Sequence, residues 1–506
     1  SIMAKRAIFP LPLLLAGLLL LQTALIGCHG NKAETDTTHT ETASTDTETV
    51  PESVPVYPDS LPDVLDLGGM TVTMACRDDR DLIYCIGNEE SVGEMVQDAI
   101  FERNMAVEER LNVVFGRYQY DKSWGEWGKY INTVVLAGED AFQICFMENN
   151  SLLQDGGCLE SFRDLSDNAY IDIEKPYWWT DSIRGLSLDG KSYYMLMGDL
   201  ALSDYLKIFL TLYNRELYEK LYGDPTALYT LALDGGWTID EMQRLCEGAY
   251  ADLNGNGVVD YSDQCGAQFM DYWGENLYLD YSFDYTRCVR RENGTMEIAF
   301  DMDSATHAYD VLHRLFLETV GVIYTPYDKK PYEGYETDDV FAEGRMLFSV
   351  QSLTTCIGTE LREMQDPYGM IPNPKLSDQQ EQYVSYAEPV YTMIPTTVPD
   401  ADAIGAVIEA LASEAYVNVI DDFLELALQR KYSPDDLSSR CLRLILDTAR
   451  CSFLYAYSSP ANYIGHLLPR DAVEDKSFSS DYARKLRGAQ NGLDKYVRRI
   501  TGIAQS

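Results

Sequence analysis

The chain has 506 residues, of which 46% are hydrophobic, and this is enough for two or three domains or for one large two-lobed body. Its formal net charge of −41 argues against nucleic acids and anionic lipid surfaces as partners, because both would repel it. The charge favours solubility but selects no particular ligand.

The N-terminus has the three parts of an export signal. Two basic residues precede an apolar stretch over residues 13–21, and the run Leu-Ile-Gly-Cys then ends at Cys28. This order resembles the lipobox of bacterial lipoproteins. It predicts a signal peptide over residues 1–27, a lipid on Cys28 and a location on the extracellular face of the cell membrane. A transmembrane helix is the alternative, because about 20 apolar residues span a bilayer, but two prolines in the segment favour the signal.

Residues 28–64 are rich in Thr, Pro and acidic residues, with almost no apolar residue before Val50. Such a segment cannot bury enough apolar surface to offset the entropy of ordering. We therefore predict a disordered tether between the membrane and the folded part.

Strands and helices alternate in the next part of the chain. Strands are predicted over residues 70–74, 111–115 and 141–146, and amphipathic helices over residues 93–111 and 127–136. This alternation predicts a parallel sheet of the α/β class.

A second α/β unit follows. A strand over residues 206–213 leads into a helix from Asn214, and another helix begins at Thr238, which is spaced with Glu241 as a capping box. Further helices are predicted over residues 305–318, 403–418 and 434–449.

The most specific chemical motif is the loop over residues 252–263. Oxygen-bearing side chains fall at loop positions one, three, five, nine and twelve, and Gly257 occupies position six, where a calcium loop turns sharply. The spacing predicts a structural Ca2+ held by Asp252, Asn254, Asn256, the carbonyl of Val258, Asp260 and Asp263. Asp263 stands in place of a glutamate and Gly266 follows soon after, so a single structural site is favoured over a sensor pair. The alternative is an Asn-Gly turn whose oxygens serve only solubility.

The string over residues 185–192 matches a P-loop, but we assign the match to chance. A P-loop needs a strand before it and a helix after it, whereas a hairpin turn is predicted at Asp189-Gly190 and a strand over residues 193–197. The histidines form no zinc motif and no nucleophile motif occurs, so no catalytic residue is predicted.

Ten cysteines remain besides Cys28, without a CxxC motif or regular spacing. This pattern does not suit a disulfide scaffold, so most are predicted to be small buried residues. A bond between Cys246 and Cys265 is the alternative for one loop.

A series of short motifs follows residue 65. They are the runs over residues 136–144, 177–179, 190–193, 212–217, 236–242, 252–266, 341–348 and 368–375. Together with the lipobox, this ordered series resembles the family 1 extracellular solute-binding proteins, the lipoprotein receptors of ABC importers. Gln143 departs from the family, which often has Asp at this point.

The resemblance implies a periplasmic-binding-protein-like type II fold, with two α/β lobes joined by a hinge and a ligand cleft between them. Lobe 1 would comprise residues 65–197 and 384–430, and lobe 2 residues 198–383 and 431–506. The ligand would close the lobes, and the closed form, a monomer, would deliver it to the permease subunits of an ABC importer.

By the same resemblance, cleft residues come from strand ends and from the segments that cross between lobes. Residues 193–197 would lead to the first crossing, and residues 383–396 would carry the return. The ligand-binding candidates are Glu148, Asn149, Trp179, Trp273, Ser349, Gln351, Tyr386 and Glu388. For each one, ordinary packing or surface exposure is the alternative.

A sugar or oligosaccharide is the leading ligand class, because 36 tyrosines and six tryptophans supply flat faces that stack on sugar rings. Two other functions stay open. An exported carbohydrate-active enzyme would need a catalytic carboxylate pair, which cannot be selected among 81 acidic residues. A surface adhesion lipoprotein would use the calcium loop and show no closure.

Overall fold

The computed structural model describes residues 58–153, 157–271, 275–326, 337–357, 361, 364–429 and 436–503. The predicted signal peptide, Cys28, the tether before residue 58 and Trp273 lie outside these residues. The described residues belong to one compact unit, Val56–Ser506. No helix among them is long and apolar enough to cross a membrane.

The strands build two main sheets and two short pairs. In chain order they are β1 (Met70–Cys76), β2 (Val113–Gln119), β3 (Ile144–Glu148), β4 (Phe209–Asn214), β5 (Cys265–Asp271), β6 (Cys288–Arg290), β7 (Met296–Ile298), β8 (Val322–Pro326), β9 (Met346–Ser352), β10 (Tyr368–Ile371), β11 (Ser385–Tyr386), β12 (Val390–Met393) and β13 (Ala449–Arg450).

The first sheet has the strand order β12-β3-β1-β2. β1 runs parallel to both β2 and β3, while β12 runs antiparallel to β3. The helices Met95–Leu111 and Trp124–Leu136 connect the parallel strands, as parallel pairing requires. The parallel sheet predicted from the alternation is therefore confirmed.

The second sheet has the strand order β10-β4-β9-β5-β8. β5 is parallel to β8 and β9, and β4 is antiparallel to β9 and β10. β4 begins at Phe209, later than predicted, because Leu202–Leu206 forms a helix. The strands of each sheet fall within the ranges predicted for one lobe, although the lobe boundaries themselves stay predictions.

Helices form most of the remaining regular structure. The α-helices are Asp79–Asp81, Met95–Leu111, Trp124–Leu136, Asn149–Leu153, Thr180–Leu186, Leu202–Leu206, Arg215–Tyr222, Ala227–Leu233, Ile239–Ala249, Glu275–Ser282, Met302–His313, Thr337–Ala342, Leu353–Ile357, Ala401–Asn418, Ile420–Gln429, Asp436–Asp447, Phe453–Ala456, Leu467–Val473 and Phe478–Thr501.

Two predicted helix starts behave differently. Asn214 caps its helix, because its side chain accepts a hydrogen bond from the amide of Leu217. Thr238 also precedes its helix, but the predicted capping box is wrong, since Thr238 makes no side-chain capping hydrogen bond. Glu241 is instead held by Arg244, whose Nη2 donates to it at 2.6 Å.

The P-loop-like string does not have P-loop structure, as predicted. The helix Thr180–Leu186 includes its first two residues, and the carboxylate of Asp189 accepts hydrogen bonds from the amides of Lys191 and Ser192 at 2.9 and 2.8 Å. The predicted strand after it is an extended segment that joins the first sheet at the bridge between Leu196 and Thr392.

Two connections between the main sheets lie next to each other. The segment before β4 pairs with the segment before β12 through the bridge between Ile208 and Ala387. The amide of Glu388 also donates to the carbonyl of Lys207 at 3.1 Å. β11, just before Ala387, also pairs in parallel with β13.

No disulfide bond joins the cysteines of the described residues. Cys288 and Cys451 are partly exposed and the others are buried, which confirms the packing role predicted for most of them. The alternative bond between Cys246 and Cys265 is wrong. Cys246 packs against Gly266, where an added Cβ atom would come within 2.3 Å of the Cys246 backbone.

Arg103 links the helix Met95–Leu111 to two neighbouring segments, which contain Leu200 and Cys85. Its side chain is buried, and its guanidinium donates to the carbonyls of Leu200 and Cys85 at 2.7 and 2.9 Å. It also donates to Asn104 at 2.8 Å. Burial lowers the pKa of Arg103 to about 10, so the residue stays charged at neutral pH.

The substitution Arg103→Met should lower the free energy of unfolding by about 3 kcal/mol, because two buried carbonyls lose their donors at about 1–3 kcal/mol each. Urea denaturation measures the loss. Arg487→Met, at an exposed position on the helix Phe478–Thr501, is the matched control and should change stability by less than about 0.5 kcal/mol. Equal losses in the two variants would contradict this role of Arg103.

Candidate ligand site

One edge of the first sheet carries charged residues from three strands. Because β1 and β3 are parallel, Arg77 after β1 and Glu148 at the end of β3 lie at the same edge. β12 is antiparallel to β3, with Val390 opposite Glu148, so Glu388 reaches this edge as well.

An edge of the second sheet meets it. Ser352 at the end of β9 lies opposite Phe209 at the start of β4, and Lys207 precedes Phe209 by two residues. Arg80, which follows β1, donates from Nη1 to the hydroxyl of Thr354, which follows β9, at 3.2 Å. The junction of the two sheets is therefore formed by strand ends and by the crossing segments, as the sequence predicted for a cleft.

Arg77 and Glu148 form a two-point ion pair at this junction. Nε and Nη2 of Arg77 donate to the two carboxylate oxygens of Glu148 at 2.6 and 2.7 Å. Both side chains are largely buried, with 21% and 17% exposed. Glu148 is the main cause of a raised pKa of Arg77. The fork geometry fixes both side chains and leaves the remaining acceptor positions of Glu148 for a ligand.

Lys207 is a cation surrounded by carboxylates. Burial alone would lower its pKa, but Asp81 and Glu148 more than offset this and raise it. Burial raises the pKa of Asp81, and Lys207 opposes that shift. The ammonium group thus stays charged at the point where the first crossing enters the second sheet, and it can donate to hydroxyl oxygens of a ligand.

Aromatic rings are stacked beside these charges. The rings of Phe209 and Tyr278 are 3.5 Å apart between centroids, at an interplanar angle of 21°. Tyr386 stacks on the same group, 6.0 Å from Phe209 and 5.0 Å from Tyr281. Tyr455 meets Tyr386 edge-on at 5.4 Å. Tyr278 is partly exposed, so a flat apolar group can extend the stack on its side.

Glu388 joins the charged group to the aromatic group. The hydroxyl of Tyr386 donates to its carboxylate at 3.5 Å. Burial raises the pKa of Glu388 to about 7, while the hydroxyls of Tyr455 and Tyr386 and the charge of Lys207 act in the opposite direction. Glu388 therefore titrates near neutral pH, and its ionised form is a strong hydrogen-bond acceptor.

The structure brings three of the predicted ligand-binding residues together at this junction. They are Glu148, Tyr386 and Glu388. Asn149 follows Glu148 directly but is buried, and its side chain accepts a hydrogen bond from the hydroxyl of Tyr391 at 3.2 Å. Trp273 lies outside the described residues.

Three further candidates have packing roles in the described chain. Ser349 and Gln351 pair with Leu212 and Leu210, so they point to the sheet face opposite that of Phe209. Gln351 donates to the hydroxyl of Ser349 at 3.1 Å. Trp179 meets Tyr205 edge-on at 5.4 Å and packs against both hydrophobic cores.

The neighbours of Trp179 in the sequence also serve the fold. The hydroxyl of Tyr177 and the indole N–H of Trp178 both donate to the buried carboxylate of Glu409 in the helix Ala401–Asn418. Burial raises the pKa of Glu409 to about 7. Tyr177 and Trp178 therefore anchor the helix Ala401–Asn418 to this part of the fold.

Sequence reasoning missed several residues of the junction. They are Arg77, Arg80, Asp81, Lys207, Phe209, Tyr278, Tyr281 and Tyr455. Arg77 carries a signal that could have found it, because it follows a predicted strand just as Glu148 does. Tyr278 and Tyr455 lie in short helices and carry no local signal.

The loop over residues 252–263 is closed by its own hydrogen bonds. Asp252 accepts from the amides of Gly255 and Gly257 at 2.6 and 2.9 Å, and Gly257 has a φ of +72°, which is the sharp turn predicted there. Asp263 is fully buried and accepts from the amide of Leu253 at 3.0 Å. The side-chain amides of Asn254 and Asn256 both donate to Asp260.

These contacts place the oxygen-bearing side chains of the loop close together. Across the described residues, no group of three or more His, Cys, Asp or Glu side chains is arranged to hold a metal. The predicted calcium ion therefore stays a proposal that depends on the donor set and its spacing.

No known protein-family model matches the chain, and no curated protein does so. Solved structures are similar to it over most of its length. A sugar transporter from Rhizobium etli in an open conformation is 15% identical over 84% of this chain and 99% of that chain, with a TM-score of 0.52. The galacto-N-biose/lacto-N-biose I-binding protein of an ABC transporter from Bifidobacterium longum, in complex with lacto-N-biose, is 12% identical over 87% and 99%, with a TM-score of 0.51.

A third structure, CpMnBP1 with mannotriose bound, is 12% identical over 84% of this chain and 100% of that chain, with a TM-score of 0.50. At these identities the likeness is one of fold. This chain therefore shares its fold with these three proteins. The chain has the periplasmic-binding-protein-like type II α/β fold.

Proposed function

We propose that this protein is a membrane-tethered extracellular solute-binding protein that captures a sugar or oligosaccharide and delivers it to an ABC importer. The likeness in fold to sugar-binding components of ABC transporters supports the proposal. The observation that carries it is the junction of the two sheets, where a stack of aromatic rings adjoins paired charges. The protein would bind its solute without converting it.

A sugar suits this junction because it has two kinds of surface. The C–H face of a sugar ring stacks on an aromatic ring such as Tyr278, and its hydroxyls need both donors and acceptors. Lys207 supplies donors, while Glu148 and Glu388 supply acceptors. An apolar ligand would displace water from these charged groups without offering them hydrogen bonds of its own, at a cost in free energy.

We propose that ligand binding closes the two lobes, because the site lies between the two sheets. A solute that contacts residues from both sheets makes its full set of contacts only when the two lobes are close together, so it shifts the equilibrium toward the closed form. The neighbouring segments at Ile208, Ala387 and β13 would serve as the hinge. The permease subunits would then recognise the closed monomer.

Binding should depend on Glu388 and on the aromatic stack. A thermal-shift screen of residues 58–506 against mono- and oligosaccharides should give a ligand that raises the melting temperature. Glu388→Gln should weaken this ligand about 10-fold or more by calorimetry, because a hydrogen bond to a charged group contributes about 1.5–3 kcal/mol. Tyr278→Ala should weaken it by a similar factor through lost stacking, and Arg487→Gln, at an exposed position, should not.

The pH dependence of ligand affinity provides a second test of the role of Glu388. The pKa of Glu388 is about 7, so its ionised fraction rises between pH 6 and pH 8. The affinity of the wild-type protein should rise over this range, and that of Glu388→Gln should stay flat. Unchanged affinity in both Glu388→Gln and Tyr278→Ala would overturn the proposed site.

The membrane tether is part of the proposal. The lipobox-like run before Cys28 supports a lipid anchor, and the acidic segment up to residue 64 would keep the folded part away from the surface. Feeding the producing cells a labelled palmitate analogue should label the wild-type chain and leave Cys28→Ser unlabelled. Equal labelling of both would contradict the anchor.

We also propose that the loop over residues 252–263 binds one structural Ca2+. The hard oxygen donors at the calcium-loop spacing support this, and burial of Asp263 beside the loop backbone provides a fixed end. Calcium should raise the melting temperature of the wild-type protein by several degrees, and Asp252→Ala should abolish the rise. Asp436→Ala, at an exposed helix start, is the control and should keep it. A calcium-independent melting temperature in the wild-type protein would contradict the site.

A further inference from the structure

A cavity of about 350 Å³ adjoins the aromatic stack. Tyr281 and Tyr386 line it, whereas Phe209, Tyr278 and Glu388 are not among the described residues in its wall. The ring of Tyr386 therefore contributes to both sites. It lies beside Phe209 in the proposed solute site and beside Tyr281 in the wall of the cavity. The cavity is separate from the charged junction of the two sheets.

The return crossing and the segment that contains β13 form much of the wall. Residues 382–384 and Tyr386 come from the return crossing, and residues 450–454 come from the segment that contains β13. These two segments pair with each other through β11 and β13. A molecule in the cavity would contact both segments at once.

Arg287 contributes a buried donor to this wall. Its Nη2 donates to Asp280 at 3.0 Å, and its guanidinium lies 3.7 Å from the ring centre of Tyr285. Its Nε–H has no acceptor among the described residues, although only 11% of the side chain is exposed. The Nε–H is enclosed by the protein, and the other N–H groups donate to the carbonyls of Phe283 and Asp280, so Arg287 shapes the wall and does not select the occupant.

Arg450 adds a second guanidinium with unused donors. Nη1 donates to the carbonyl of Ala449 at 3.0 Å, and the nearest carboxylate, that of Asp181, is 3.9 Å away and well exposed. Asp284 also lines the cavity but is exposed, where water screens its charge. Asp280 balances the charge of Arg287, and Arg450 pairs at 3.9 Å with the exposed Asp181, so Arg450 is the cation that a ligand carboxylate can approach.

The rest of the wall is largely aromatic and apolar, and includes Phe283, Tyr383, Phe453 and Leu454 besides the two tyrosines. The volume lies within the range of small-molecule sites, at roughly 300–1,000 Å³. Arginine side chains bind carboxylates through paired N–H groups, and aromatic walls bind flat apolar groups. We propose that this cavity is a second ligand site for a small ring-bearing carboxylate.

Two thiols can report occupancy. Cys288 and Cys451 are the partly exposed cysteines of the described chain, and both line the cavity. A bound molecule would shield both from alkylation, while solute bound beside Phe209 would not contact them. Their alkylation rates therefore give the location of a ligand and not only its binding.

The test uses the full chain, with phenylacetate as the probe and phenylacetamide as its neutral counterpart. Ligand-observed NMR should show binding of phenylacetate at millimolar concentration and at least fivefold weaker binding of phenylacetamide. Phenylacetate should slow alkylation of Cys288 and Cys451 at least threefold, read by peptide mass spectrometry. Arg450→Gln should lose at least fivefold in phenylacetate affinity, and Arg440→Gln, an exposed control on the helix Asp436–Asp447, should keep it.

Several results would overturn the proposal. They are no binding of phenylacetate, which would indicate a cavity filled by water only, equal binding of phenylacetamide, or unchanged binding of phenylacetate in Arg450→Gln. Loss of cysteine protection in Phe209→Ala would place the probe in the solute site instead. The proposal does not depend on the sugar-binding function, because each of these outcomes is independent of any sugar.

Discussion

The structure depends on one short pairing, in which the segment entering β4 runs beside the segment entering β12. The bridge between Ile208 and Ala387 and the hydrogen bond from the Glu388 amide to the Lys207 carbonyl hold these segments together. Each segment brings a charged residue to the junction of the sheets. Each also brings an aromatic residue within two positions, Phe209 in one and Tyr386 in the other. The same two segments therefore supply both polar and aromatic residues of the candidate site.

The charges at this junction differ from those of the chain as a whole. Acidic residues outnumber basic ones by 81 to 40 overall. At the junction the cations Arg77, Arg80 and Lys207 stand among a similar number of carboxylates, and Arg77 is locked to Glu148 by two hydrogen bonds. Buried charges persist only where they are paired in this way, because taking an unpaired charge out of water is costly. A balanced and prearranged set of charges suits a neutral polar solute better than a strongly charged one.

The sequence predicted the fold better than it predicted the site. The alternation of strands and helices predicted the parallel sheet, because local periodicity in the sequence identifies each of these elements. Glu148 and Glu388 could be found because strand ends and crossings form clefts, and the same rule applied to Arg77 would have found it. Ser349 and Gln351 lie on the sheet face opposite that of Phe209, because one residue of register decides the face, and the sequence does not fix that register. Tyr278 and Tyr455 reach the stack from distant helices, so only the three-dimensional arrangement shows their role.

The crystal structure of residues 58–506 with a bound oligosaccharide tests the central claim most directly. The account predicts a sugar ring against Tyr278, with hydroxyls within hydrogen-bond distance of Lys207 and of the carboxylates of Glu148 or Glu388. A sugar bound elsewhere on the surface, with these side chains free of contact to it, would contradict the account.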